Sequence, residues 1–266
     1  MGLELQQCKG HWALVTGASA GIGREFCGQL AAAGINLVMV ARRQDLLEAL
    51  ASELAERHGT QSLALPIDLG KPAAAAEVKR RVNAEGLAIR LLVNNAAFGR
   101  WGRFEATAAE VYEEMILLNN AAMVSMCHHF LPDLASHLTS AIINISSPAA
   151  YQPVPYMAVY AATKAFVQSF SQALYGEWKD RGILVQTMVP GPTATEFDAK
   201  AGAYESVLKG RGTPADVVEA ALRHLATDAP LAITAKGTYK QRLFAGLFPA
   251  KMVIREVAKM FKPPTQ

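Results

Sequence analysis

Trp12-Ala-Leu-Val-Thr-Gly-Ala-Ser-Ala-Gly-Ile-Gly23 is the stretch that decides the fold. A short apolar run stops at Gly17, and an alanine- and leucine-rich helical pattern follows over about 22–33. That order is strand, glycine turn, helix. The glycines let the backbone turn tightly and bring its N–H groups close to a phosphate, while the helix presents its positive end to the same anion. The spacing is not G-x-G-x-x-G, because Phe26 stands where the third glycine would fall. A glycine turn packed for topology alone is the competing reading.

Working outward, 36–41 reads as the next strand, with Arg42 and Arg43 at its tip. In a nucleotide-binding βαβ unit an acidic residue there accepts from a ribose 2′-hydroxyl, whereas arginine pairs with a 2′-phosphate. No carboxylate occurs before Asp45, so NADP(H) is favoured over NAD(H). Two arginines opening a helix are also unfavourable unless an anion offsets them. The pattern continues with a helix over 44–58, apolar along Leu46, Leu47, Leu50 and Leu54, and a strand over 62–67. Asp68 then stands where it can accept from an adenine amino group or cap a turn. After a helix over 72–83, a strand over 89–93 ends in Asn94-Asn95-Ala96-Ala97, small enough for close approach of a cofactor or simply a turn. Phe98-Gly-Arg-Trp-Gly-Arg-Phe104 reads as a loop that lines an apolar pocket or caps the sheet.

A long helix is expected over 108–131, stopping near Pro132, with Asn119 among apolar neighbours as a satisfied bend or a water site. A strand over 141–146 delivers Ser147, and a helix over 158–178 carries Tyr160 and Lys164. Those two are four apart and so share one helix face. An ammonium beside the phenol would lower its pKa from about 10 toward working pH, as a proton donor to a carbonyl oxygen needs. Phe166, Phe170 and Leu174 spread over more than one stripe, which points to burial on two sides and a second subunit. Beyond a strand over 184–189 come the loop 190–195 and a mobile segment to about 212, with Phe197, Tyr204 and Leu208. Thr213 is a good N-cap ahead of Pro214 for a helix over 214–226, and 231–234 makes a last strand. From 243 to 262 the chain is apolar and basic, and would pack on the domain, on a partner subunit or on a membrane surface.

Composition narrows the class. With 266 residues, 51% hydrophobic and 18% charged, the chain can bury an ample core. A net charge of +3 gives no reason to expect a nucleic-acid partner. Cys8, Cys27 and Cys127 are widely spaced, which fits reduced thiols in a cytoplasmic compartment, and no metal site is expected. His128 and His129 face different ways on a helix and make poor joint ligands. Glu4 interrupts any leader-like start, Gln6 breaks the myristoylation pattern, and no apolar run reaches membrane-spanning length. The alternation predicts an α/β fold: a single doubly wound, Rossmann-like parallel sheet with helices on both faces. Residues 1–240 form the dinucleotide-binding and catalytic domain, with a substrate-loop segment at 190–212, and 241–266 form its helical tail. Ligands bind such sheets at the carboxyl ends of the strands, where these polar and glycine-rich groups fall.

Taken together, Thr16-Gly-Ala-Ser-Ala-Gly-Ile-Gly23, Asn94-Asn-Ala-Ala97, Asn119, Ser147, Tyr160-x-x-x-Lys164 and Pro190-Gly191 resemble the short-chain dehydrogenase/reductase family, in its order. The likeness covers about the first 200 residues. Ser147 precedes Tyr160 by thirteen, as in that family, so it is preferred over Ser146. Ala97 replaces a glycine, and Thr163 a serine, of the usual pattern.

The resemblance implies a NADPH-dependent carbonyl reductase, or an alcohol dehydrogenase in reverse. Its catalytic set is Asn119, Ser147, Tyr160 and Lys164. It implies a cofactor over Gly17, Ser19, Gly21, Ile22 and Gly23, with Arg42 and Arg43 at the 2′-phosphate and Asp68 and Leu69 at the adenine. Asn95, Ala96, Ala97, Tyr160, Lys164, Pro190, Gly191, Thr193 and Thr195 complete that site. Asn119 would hold a water linking Lys164 to solvent. Phe98, Trp101, Tyr151, Pro155, Tyr156, Phe197 and Tyr204 would bound an apolar substrate pocket. A homodimer or homotetramer is implied, and a non-catalytic NADP(H) sensor is the alternative.

Overall fold

The computed structural model describes residues 2–202 and 210–263. Strands β1 (Trp12–Thr16), β2 (Asn36–Ala41), β3 (Ser62–Pro66), β4 (Ile89–Asn94), β5 (Ser140–Ile145), β6 (Ile183–Val189) and β7 (Leu231–Ile233) alternate with helices. These are α1 (Gly21–Ala32), α2 (Gln44–His58), α3 (Ala74–Ala84), α4 (Ala109–Ile116), α5 (Met123–Ala135), α6 (Ala158–Trp178), α7 (Glu196–Ala201), α8 (Pro214–Leu225), α9 (Thr238–Leu247) and α10 (Ala250–Phe261). The seven strands form one sheet in the order β3-β2-β1-β4-β5-β6-β7, and every pairing is parallel. This is the expected Rossmann-like, doubly wound α/β arrangement.

The sheet works because its strands are apolar on both faces. Ala13, Val15, Leu37 and Met39 join α1, α2 and α8 in one core through Phe26, Leu30, Leu47, Leu54 and Val218. Leu14, Val38 and Val40 point the other way, into α3, α5 and α6 with Val78, Phe130 and Trp178. Order reverses between β1 and β4, so their carboxyl ends diverge and open a crevice.

Two elements differ from the sequence expectation. The helix entered at Ala109 does not stop at Pro132 but runs to Ala135, through a π-helical turn at Leu117–Ala122. Met126, Phe130 and Leu134 are buried there, Asp133 pairs with Lys79 and accepts from the Ile89 N–H at 3.2 Å, and Ser140 caps the Leu134 carbonyl at 2.8 Å. Those contacts outweigh the roughly 3 kcal/mol penalty of an interior proline. The loop after β6 is not simply irregular, since Thr195 caps α7 by accepting from the Phe197 N–H at 3.3 Å. The apolar, basic tail forms α9 and α10, with Val253 and Val257 buried against the domain. At α8 the expected cap holds: Thr213 and Asp216 cap reciprocally with Pro214 in the first turn.

One polar chain ties the sheet to the helix beneath it. The Asn94 side chain donates to Asn144 Oδ1 at 2.8 Å, and Asn144 Nδ2 donates to Ser171 Oγ at 2.9 Å, all buried. Asn144→Ala removes one buried hydrogen bond from each neighbour, leaving Asn94 Nδ2 with the weak Cys127 Sγ acceptor at 3.4 Å and Ser171 Oγ with the Val167 carbonyl. It should lower unfolding free energy by about 2–4 kcal/mol, read from denaturant midpoints.

Candidate active site

Thr16 organises the crevice at the switch point. Its hydroxyl accepts from the Asn95 N–H at 2.9 Å and the Ala96 N–H at 3.0 Å, and Asn95 Nδ2 donates back to the Thr16 carbonyl at 2.9 Å. The loop after β4 is thus pinned to the glycine turn after β1. Glycine is required in that turn. Gly17 has φ +66°, Gly21 has φ +54°, and a Cβ on Gly23 would lie 2.2 Å from the Gly17 carbonyl oxygen. A Cβ on Gly21 would lie 2.9 Å from Thr195 Cγ2, so the loop after β6 lies against the turn. Helix α1 begins there with Ala20 as an N-cap that offers no side-chain acceptor to its first N–H groups.

At the tip of β2, Arg43 donates to Ser19 Oγ at 3.1 Å and pairs with Glu196 at 3.1 Å, bridging the glycine turn and α7. Arg42 is exposed, with no ion pair among the described residues. Asp68 serves a turn, accepting the Gly70 N–H at 3.0 Å. Leu69 is buried. Pro190 and Gly191 pass beside β7, with Gly191 N–H directed at Thr234 Oγ1 at 3.4 Å, and Thr193 Oγ1 donates to the Gly191 carbonyl at 2.8 Å. A glycine cradle, an uncapped helix start and two arginines at the strand tip fit a phosphorylated dinucleotide.

Tyr160 and Lys164 share the inner face of α6. Lys164 is only 4% exposed and donates to the Ile145 carbonyl at 2.8 Å, with its Nζ 5.8 Å from the Tyr160 ring centre. Ser146 donates to the Lys164 carbonyl at 3.0 Å, which leaves Ser147 as the hydroxyl toward Tyr160. Burial pulls the Lys164 ammonium down to about 8. It pushes the Tyr160 phenol up to about 12; the Ser147 hydroxyl opposes that rise and the Asp198 carboxylate adds to it. This corrects the expectation that the neighbouring ammonium lowers the phenol. Both groups are desolvated together, and the ammonium is turned to a backbone carbonyl.

Asn119 lies in the π turn. Its Nδ2 donates to the Phe98 carbonyl at 2.9 Å and to Thr163 Oγ1 at 3.1 Å, and its Oδ1 accepts the Phe98 N–H at 3.1 Å. It therefore holds the loop after β4 against α6. Thr16, Asn94, Asn119 and Lys164 line a cavity of about 10 Å³, the size of one water.

The expected pocket residues divide. Phe98, Trp101 and Phe197 pack on the cluster containing Tyr160, Met157, Val253 and Val257. Phe197 lies with its ring centre 5.4 Å from that of Tyr160, and a Cβ on Gly99 would touch both rings, at 2.9 and 3.1 Å. Tyr151 and Pro155 instead line a groove of about 600 Å³ with Ala158, Ala162 and Ile254, on the α6 face turned away from Tyr160. Tyr156 takes φ +68° in the connecting loop, and its carbonyl accepts the Gly102 N–H at 2.9 Å. Tyr204 lies outside the described residues. Sequence reasoning missed Thr16 and Gly99, whose roles depend on loops distant in sequence. The tail, for which packing on the domain is one of the expected readings, reaches this cluster: Trp101 Nε1 donates to the Phe261 carbonyl at 2.8 Å, closing α10 over it. Ala97 is half-buried beside Asn95 and Ala96. No group of side chains able to hold a metal occurs among the described residues.

The Lys164 shift has a stability consequence. Below about pH 8 the folded chain holds a charged, desolvated ammonium; between there and the ordinary lysine value of 10.5 the folded state sheds its proton before the unfolded state does, so stability rises with pH. Lys164→Met should therefore stabilise the cofactor-free protein at pH 7 by on the order of 2 kcal/mol, seen as a higher melting temperature. The advantage should shrink toward pH 10.5. Thermal melts of both proteins across that range check it.

The sequence profile of the short chain dehydrogenase family matches residues 11–206. A bovine very-long-chain 3-oxoacyl-CoA reductase is 32% identical over 192 residues, 71% of this chain and 61% of that protein. The chain thus spans about three-fifths of the length of the vertebrate reductases it matches. A 7beta-hydroxysteroid dehydrogenase from Collinsella aerofaciens is 31% identical over 84% of this chain and 86% of its own. A short-chain dehydrogenase from Sphingobium yanoikuyae, solved in complex with NADPH, superposes with a TM-score of 0.80 at 33% identity, covering 90% of this chain and 97% of that one. With its profile match, sheet order and crevice, the chain belongs to the short chain dehydrogenase family of oxidoreductases.

Proposed function

We propose that this chain is a NADPH-dependent reductase of a ketone or aldehyde on a bulky apolar substrate, with Tyr160 as the proton donor. The observation that carries the reading is the buried Tyr160–Lys164 pair beside Ser147, at the same carboxyl edge of the sheet as the glycine cradle. When bound, the nicotinamide supplies the hydride. The chain supplies position and a proton. Burial keeps the Tyr160 phenol protonated at neutral pH in the cofactor-free chain, and efficient donation would require the charge of Lys164 to bring its pKa back toward working pH once substrate and cofactor are bound. Ser147 would donate a hydrogen bond to the same substrate oxygen. Lys164, through the water-sized cavity it shares with Asn119, would pass a proton from solvent back to Tyr160 after donation.

Arg42 and Arg43 would meet the 2′-phosphate, with the Arg43–Glu196 pair opening to release that guanidinium. The wall of Phe98, Trp101, Phe197 and Val257 favours an apolar substrate. The relatives named for 3-oxoacyl-CoA and hydroxysteroid chemistry support the same class. Self-association through the exposed Ile116, Leu117 and Phe166 fits the apolar spread along α6, and a cytoplasmic setting fits three free, buried cysteines. A regulatory NADP(H) binder without turnover is disfavoured, because tyrosine and lysine are both present.

Two measurements test this reading. Tyr160→Phe should cut NADPH-dependent reduction of bulky ketones by roughly 10²–10⁴-fold, while NADPH binding by fluorescence stays within about twofold. Turnover near the wild-type rate would remove Tyr160 as donor. Replacing Arg42 and Arg43 with alanine should weaken NADPH binding by roughly tenfold or more, leave NADH binding nearly unchanged, and so erode the preference. An unchanged ratio would place the 2′-phosphate elsewhere.

A further inference from the structure

Helix α9 turns an apolar stripe outward. Tyr239, Leu243 and Leu247 follow one another at four-residue spacing and are 68%, 62% and 70% exposed, and Phe248 continues the stripe at 44%. This is not the face that folds the helix onto the protein. Thr238 is buried, Phe244 and Ala245 pack on the cluster around Tyr160, and Gln241 Nε2 donates to the Pro148 carbonyl at 3.0 Å. The stripe is therefore held in place, facing solvent, by contacts on the opposite side.

Charge decides what would cover it. Between Asp228 and Glu256 the sequence holds Lys236, Lys240, Arg242, Lys251 and Arg255 and no carboxylate. From Lys236 to Lys262 there are seven basic residues against one acidic, so the rest of the chain is net −3 although the whole is +3. Two copies meeting through this patch would set like charges against each other. Another exposed apolar pair, Ile116 and Leu117, follows Glu113 and Glu114 and has no such basic fringe. An apolar strip rimmed by bases fits an anionic lipid surface, where hydrocarbon takes up the strip and headgroups meet the cations. No described helix is long and apolar enough to cross a membrane, so the attachment would be interfacial.

We propose that α9 docks this protein on anionic bilayers, with Tyr239, Leu243, Leu247 and Phe248 entering the headgroup boundary while Lys236, Lys240 and Lys251 face acidic headgroups. Because Phe244 of α9 and Val253 and Val257 of α10 cover the cluster around Tyr160, docking would set that cover against the membrane, where apolar molecules partition.

Co-sedimentation of the full chain with vesicles tests this without any turnover assay. The protein should bind phosphatidylcholine vesicles containing phosphatidylserine, bind phosphatidylcholine alone far less, and be released by salt. Leu243→Glu with Leu247→Glu should lower binding by roughly a hundredfold, on the order of tenfold per leucine. Lys236→Gln with Lys240→Gln should lower it by about 30-fold on charged vesicles only. Both variants change exposed residues, so their melting temperatures and sedimentation-velocity masses should match wild type. Three results would each overturn the proposal: no binding by wild type, equal binding by the leucine variant, or a changed oligomeric mass in that variant, which would assign the stripe to a subunit interface.

Discussion

A charged lysine inside a protein is costly, and the centre of this molecule is arranged around one. The Lys164 ammonium donates to the Ile145 carbonyl at the end of β5, and burial lowers its pKa to about 8. Evolution for stability alone would favour an apolar residue there. The surrounding order makes sense as a way of keeping that ammonium beside Tyr160. Ser146 ties the Lys164 carbonyl to β5, Asn120 ties the Thr163 carbonyl to the π turn, and Asn119 ties Thr163 Oγ1 to the Phe98 loop. The π turn therefore has a structural task, since it presents two consecutive asparagines to α6 and to the loop after β4.

The same logic links the two ends of the crevice. Thr16 fixes the loop after β4 to the glycine turn, and Gly21 is close enough to Thr195 that the loop after β6 rests on that turn. Arg43 spans from Ser19 to Glu196. Helix α7 thereby joins the strand tip where a 2′-phosphate would be read to Phe197, whose ring lies tilted beside that of Tyr160. Events at the cofactor end and at the substrate end share one short helix.

Much of this was legible in the sequence because it depends on local patterns. Apolar runs closed by glycine or asparagine mark the strands, Thr213-Pro214 marks a helix start, and the Tyr160–Lys164 spacing survives as a shared helix face. What was not legible depends on tertiary balance. Pro132 reads as a stop, yet the burial of Phe130 and Leu134 and the anchoring of Asp133 carry the helix beyond it. The Tyr160 and Lys164 shifts are set by burial, which spacing does not encode. Tyr151 and Pro155 lie close to Ser147 in sequence, but the loop conformation at Tyr156 and the rotation of α6 turn them to another groove. Asp68 reads from sequence as an adenine acceptor or a turn residue, and its Oδ1 accepts the Gly70 N–H in the turn.

The most direct test of the central claim is a crystal structure of the ternary complex with NADP⁺ and a bulky alcohol. The account predicts the alcohol oxygen within about 2.6–3.2 Å of both the Tyr160 hydroxyl and Ser147 Oγ, with the Lys164 ammonium still inside the core. An alcohol oxygen bound away from residue 160, with the phenol packed against Phe197 and taking no part, would contradict it.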